Sequence, residues 1–164
     1  MIKKLFSEIK NFPLLAKILL LTSVMTVLSF FIQSTLPPSI SSAESDAVSG
    51  FLASIIPQDT EIGRFIIKNI RKIGHFCEYG LLGAELGAFV MLFLEQKKRP
   101  VMLAKASFLA LTVALIDETI QIFSGRGPSV IDVWLDLFGF LTVGGVVCLT
   151  ILVITKTANS NKEK

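Results

Sequence analysis

The segment KIGHFCEYG, residues 72–80, sets Lys72, His75 (the chain's one histidine) and Glu78 three residues apart at the mouth of a long apolar run. Two more polar sets stand in apolar surroundings: Asp117, Glu118 and Gln121, then Ser129, Asp132 and Asp136, with Arg126 in the SGRGPS stretch between them. A charged residue at the centre of a membrane helix costs about 2.5–3.5 kcal/mol on the insertion scale. Such residues face other helices, pair, or line a water-filled cavity. Their types define the chemistry open to them. Glu118 or Asp132 can act as a base, with His75 as acid or ligand. Carboxylates and an imidazole can hold a divalent metal, although neither HExxH nor paired Cys/His spacing is present. Arg126 and Lys72 can hold an anionic headgroup, a phosphate or a carboxylate. No GxSxG nucleophile motif occurs, and Ser129 reads as a helix cap.

The elements that carry these residues are helices in a membrane. The 164 residues are 52% hydrophobic and only 18% charged, with mean hydropathy +0.68; a soluble domain carries about 25% charged residues. A net charge of +3 is too small to argue for nucleic acid. Four stretches reach the ~20 apolar residues a spanning helix needs: 14–34, 73–94, 101–123 and 130–155. The first reads as an uncleaved span rather than a cleaved signal peptide with Ser41-Ser42-Ala43 as a poor cleavage site, since its apolar core exceeds the about 7–15 residues of a signal peptide. Cys77 and Cys148 fall at different depths in their runs and read as free, buried thiols. The expectation is an all-α, integral-membrane four-helix bundle forming one domain over residues 1–164.

Helical phase aligns the polar residues. Setting His75 at zero, 100° per residue puts Glu78 at about −60° and Glu85 at about −80°, one stripe about 15 Å long. Asp117, Glu118 and Gln121 are three and four apart, as are Ser129, Asp132 and Asp136, so each set shares a helix face. Trp134 points the opposite way, toward lipid or another helix. The Gly83/Gly87 pair has GxxxG spacing, a helix-packing face between chains or within one.

Orientation follows from the basic residues. Eleven of them (Lys3, Lys4, Lys10, Lys17, Lys97, Lys98, Arg99, Lys105, Lys156, Lys162 and Lys164) fall on one side; Arg64, Lys68, Arg71, Lys72 and Arg126 fall on the other. Both termini are thus expected in the cytoplasm, and 35–72 and SGRGPS outside. The outer segment carries a capping-box pattern at Ser41 and Glu44, then Val48, Phe51, Leu52 and Ile55 at helical spacing. Ile62, Phe65, Ile66 and Ile70 suggest a short interfacial helix or an extension of the second span. The acids, His75 and Arg126 all gather at the outer ends of three spans, which predicts one shared polar pocket open to the outside.

These residues also resemble a known pattern. KIGHFCEYGLLG is similar to the first signature of VanZ-like membrane proteins, Lys-x-x-His-Phe-x-x-Tyr. DETIQIFSGRGPSVIDVWLDLFG is similar to the second, Asp-Glu-x-x-Gln followed by Arg, Ser and two Asp four apart. The matched polar residues are Lys72, His75, Tyr79, Glu118, Gln121, Arg126, Asp132 and Asp136. Asp117 matches a subset of members, many carry Asn at Asp136, and neither Glu85 nor the 35–70 segment belongs to the pattern. The resemblance implies a bacterial plasma-membrane protein; the family's named member is associated with reduced susceptibility to teicoplanin.

Three functions fit this reading. A binding protein would take or mask an envelope component, such as a lipid-linked cell-wall precursor or an anionic lipid. A transferase or hydrolase would modify one. A scaffold would use its polar residues only to fix helix packing.

Overall fold

The computed structural model describes residues 11–161, and those residues form six helices and no strand. They are α1 (Leu14–Thr35), α2 (Pro38–Ile55), α3 (Glu61–Lys68), α4 (Ile70–Phe93), α5 (Arg99–Phe123) and α6 (Val130–Ser160). α1, α4, α5 and α6 are each long and apolar enough to cross a membrane. Of the basic residues that set the expected orientation, Lys3, Lys4, Lys10, Lys162 and Lys164 lie outside the described residues.

The four long helices alternate in direction. Ser34 near the end of α1 meets Asp117 near the end of α5, and His75 near the start of α4 meets Asp136 near the start of α6. The C-terminal ends of α1 and α5 thus share one end of the bundle with the N-terminal ends of α4 and α6. At the opposite end Ala16, Phe89 and Val90 form a small apolar core, supported by Phe93, Leu94, Met102 and Leu103. A second core of Phe30, Tyr79, Leu82, Ala114, Val133 and Phe140 lies between that end and the polar one. Phe30 stacks on Tyr79 with ring centroids 4.7 Å apart.

The closest packing joins α4 and α6, which run parallel. At Gly83 a Cβ would run into the carbonyl of Phe140, and at Gly139 into the carbonyl of Phe76. Gly87 faces Gly144 and Cys148. The small residues therefore let two backbones touch, the contact that van der Waals packing in lipid favours. The Gly83/Gly87 spacing serves contacts within this chain.

Large apolar side chains point outward instead: Leu21, Phe108, Phe123, Leu149 and Trp134 are all exposed, Trp134 at 61%. Buried positions include His75, Asp117, Glu118, Gln121, Asp132 and Asp136. Apolar outside and polar inside is the distribution a hydrocarbon solvent imposes.

Local boundaries differ from the expected ones: α5 starts at Arg99 rather than 101, α6 runs on to Ser160 rather than 155, and three changes fall between α1 and α4. α2 starts at Pro38, with no side-chain cap, so Ser41 and Glu44 do not form the capping box; Pro38 at the first helical position has its φ preset for helix and no N–H to satisfy. α3 is a separate helix, capped by Thr60, whose hydroxyl accepts from the Gly63 amide at 3.0 Å. It stops at Asn69, which breaks the axis before α4 begins at Ile70, three residues earlier than expected. Val48, Phe51, Ile55, Ile62 and Phe65 stay exposed on α2 and α3, an apolar surface suited to the membrane interface. Both cysteines are free, but Cys77 is exposed and Cys148 half-buried. Each sits on a side of its helix that neighbouring helices do not fully cover.

Candidate functional site

Four long helices and one turn build the polar end. The turn forms because α5 closes with Gly125 at φ +76°, a conformation glycine adopts without a Cβ penalty. The Arg126 amide then donates to the Gln121 carbonyl at 3.0 Å, and the Gly125 amide to the Ile122 carbonyl at 3.3 Å. This is the Schellman arrangement, and it folds Arg126 back toward the bundle. The Arg126 guanidinium donates through Nη1 to the Gln33 carbonyl of α1 at 3.0 Å. Burial, then the neighbouring Arg71, draws the Arg126 pKa below its ordinary value; Asp117, Glu118 and Glu78 oppose that shift.

Ser129 starts α6. Its hydroxyl accepts from the Asp132 amide at 3.3 Å, and its own amide donates to Glu118 Oε2 at 2.7 Å. The cap therefore ties the acid of one helix to the first turn of the next. Gln121, fully buried, is the hub of the set. Its amide nitrogen donates to Glu118 Oε1 at 2.9 Å and Asp117 Oδ2 at 3.2 Å. Its carbonyl oxygen accepts from Arg71 Nη2 at 2.8 Å. Asp117 also accepts from the Ser34 hydroxyl of α1. His75 Nδ1 lies 3.1 Å from Asp136 Oδ1. With the proton on Nδ1, that carboxylate orients the ring and leaves Nε2 as the lone-pair atom.

Among the described residues five buried or half-buried side chains end in orphaned polar atoms; four of these, Tyr79 Oη, Asp132 Oδ1, Asp136 Oδ2 and Arg126 Nε, belong to the polar end, and the fifth is Glu85 Oε2. Tyr79 is wholly buried. A cavity of about 510 Å³ adjoins this cluster, between α2 and the first turns of α4. Arg71, His75, Glu78 and Arg126 line it together with Gln33, and Ser41, Glu44 and Ser45 of α2 stand across from them.

His75, Glu78, Tyr79, Asp117, Glu118, Gln121, Arg126, Ser129, Asp132 and Asp136 are thus gathered at one end. Lys72 is not: it is exposed and absent from the cavity wall. Arg71, one residue and 100° away and itself exposed, reaches Gln121 through its guanidinium and lines the cavity. Glu85 also stands apart, deeper in the bundle, accepting from the Thr26 hydroxyl at 3.3 Å. Sequence reasoning missed Arg71, Gln33 and Ser34. Ser34 carried a faint signal, a small hydroxyl near the end of an apolar span. Arg71 did carry one: at 100° per residue it falls about −40° from His75, on the stripe of Glu78, whereas Lys72 falls at about +60°. His75, Asp117 and Glu118 each offer a ligand atom within 4.8 Å of the others, and among the described residues they form the group able to hold a metal.

An all-α bundle with four membrane-length helices and a polar core at one end defines a helical membrane protein. The family model described as VanZ/LLP1 matches residues 9–153, and the chain belongs to that family. No curated protein and no solved structure matched the chain.

Proposed function

We propose that the chain binds the anionic headgroup of an envelope component at the outer leaflet of the bacterial plasma membrane. A lipid-linked cell-wall precursor or an anionic lipid carries the required chemistry, an acidic headgroup on an apolar tail. The observation that carries the reading is the pairing of Arg71 and Arg126, from different elements, in the wall of one cavity of about 510 Å³. Guanidinium groups bind phosphate or carboxylate in a bidentate fork. The orphaned Nε of Arg126 supports a ligand that supplies the missing acceptor. α2 flanks the cavity, and its exposed Val48 and Phe51 would meet the acyl chains.

The charge bias of the sequence supports cytoplasmic termini and an outward site. A link to glycopeptide susceptibility, teicoplanin included, follows where the bound component is one that such drugs recognise. Catalysis is a second reading, favoured by Asp132 Oδ1, a buried carboxylate oxygen without a partner that would serve as the base. Glu118 is a weaker base, since both its oxygens already accept hydrogen bonds.

The test is a mass-spectrometric comparison of envelope lipids and precursors, in the membrane and co-purified with the protein. Binding predicts one acidic lipid class enriched on the wild type and lost from Arg126→Ala, with no new species in the membrane. A new or depleted species abolished by Asp132→Asn would establish catalysis. No enrichment and no change in any species would sink both and leave the packing role.

A further inference from the structure

The geometry points to a divalent-cation site made by His75, Asp117 and Glu118 at the floor of the polar end. One ligand atom from each lies within 4.8 Å of the other two, and all three residues are buried. Bonds of about 2.0–2.2 Å from a single ion would close that set with about an ångström of side-chain adjustment. The supporting shell is already built. Asp136 bonds His75 Nδ1, the carboxylate–histidine arrangement that fixes a metal-binding ring and raises its basicity. Gln121, Ser34 and the Ser129 amide hold the two carboxylates, and each carboxylate oxygen keeps a second lone pair for an ion.

Two independent observations ask for a cation. Glu78, Asp117, Glu118, Asp132 and Asp136 are five carboxylates, and the cations beside them are Arg71, Arg126 and at most His75. With carboxyls in excess of cations in a low-dielectric setting, the surplus takes up a proton or a cation, because isolated charge is costly. Second, Asp136 is 0% exposed and Asp132 only 8%, yet Oδ2 of one and Oδ1 of the other have no partner. Buried acceptors without donors are the atoms a cation or its bound water satisfies. One imidazole with two carboxylates selects a first-row ion of the manganese-to-zinc series over magnesium, which prefers an all-oxygen set. Three protein ligands also leave a coordination position open, next to a cavity wall that includes His75.

The cation site stands apart from the headgroup reading, because binding is measured with no lipid added, so either can fail alone. The full chain, purified in detergent and stripped with EDTA, is titrated separately with Mn²⁺, Zn²⁺ and Mg²⁺ and analysed by equilibrium dialysis with elemental detection. The expected result is one Mn²⁺ or Zn²⁺ per chain, with Mg²⁺ retained far more weakly. Asp136→Asn, which acts through the ring, should weaken affinity about 10- to 100-fold; His75→Ala and Glu118→Gln should weaken it further. Lys72→Ala, on the exposed side, should retain wild-type binding. Pulsed EPR of the bound Mn²⁺ gives a readout independent of variant folding: nitrogen coupling from one imidazole in the wild type. No ion retained by the wild type, equal retention by His75→Ala, Mg²⁺ bound as tightly as Mn²⁺, or Mn²⁺ without nitrogen coupling would each overturn the site.

Discussion

Gln121 shows how much one side chain can decide here. It joins Arg71 of α4 to both acids of α5 through three hydrogen bonds. Gln121→Ala strands those groups in a buried setting, and an unpaired buried polar group costs about 1–3 kcal/mol, more for charged ones. The expected outcome is a lower unfolding midpoint in denaturing detergent with helix content kept. Arg71→Ala should weaken headgroup binding and stability together, whereas Lys72→Ala, exposed, should stay within about 0.5 kcal/mol of wild type. The same measurement on the pair decides which cation belongs to the site. The spacing of His75, Glu118, Gln121, Asp132 and Asp136 was enough to read their convergence, because i, i+3 and i+4 positions share a helix face. Arg71 and Lys72 are separable the same way, at about −40° and +60° from His75, once the helix reaches back to them; the expected span began at 73, and α4 starts at Ile70. Ser34 and Gln33 escaped because nothing in α1 alone says which of its faces meets α5.

Among the elements, the α4–α6 seam carries the most weight. It holds His75 against Asp136 while packing backbone on backbone at Gly83 and Gly139. Gly83→Leu should force the helices apart, costing 1–3 kcal/mol or more as overpacking does, and lower membrane abundance. Gly145→Ala, with nothing within 4 Å of the added Cβ, should be silent; expression levels of the two variants make the comparison. The four spans were legible because twenty apolar residues have few other uses. The start of α2 was not, since Pro37-Pro38 outcompeted the Ser41/Glu44 pattern for the helix origin. The parallel glycine seam was half legible: the spacing of Gly83 and Gly87 marks a packing face, but not which helix fills it.

For the whole molecule, the inside-out distribution of polarity makes the site and the bundle interdependent. Orientation is the property with most at stake, since a site that faces outward meets envelope components. Single cysteines placed at Gly127 and at Lys98, in a background with Cys77 and Cys148 replaced, should react differently with a membrane-impermeant maleimide on intact cells. Gly127 is expected to label and Lys98 only after permeabilisation; the reverse pattern would put the cavity in the cytoplasm. Charge bias in the sequence sets this expectation, whereas the structure shows only that the two positions cap opposite ends.

α6 runs 31 residues from Val130, about 46 Å at 1.5 Å per residue. A hydrocarbon layer about 30 Å thick cannot swallow an upright rod of that length, so its last turns overhang on the far side from the buried histidine. Those turns make Asn161 a natural attachment point: a fluorescent or enzymatic reporter fused there would ride clear of the bilayer, leaving the working end untouched.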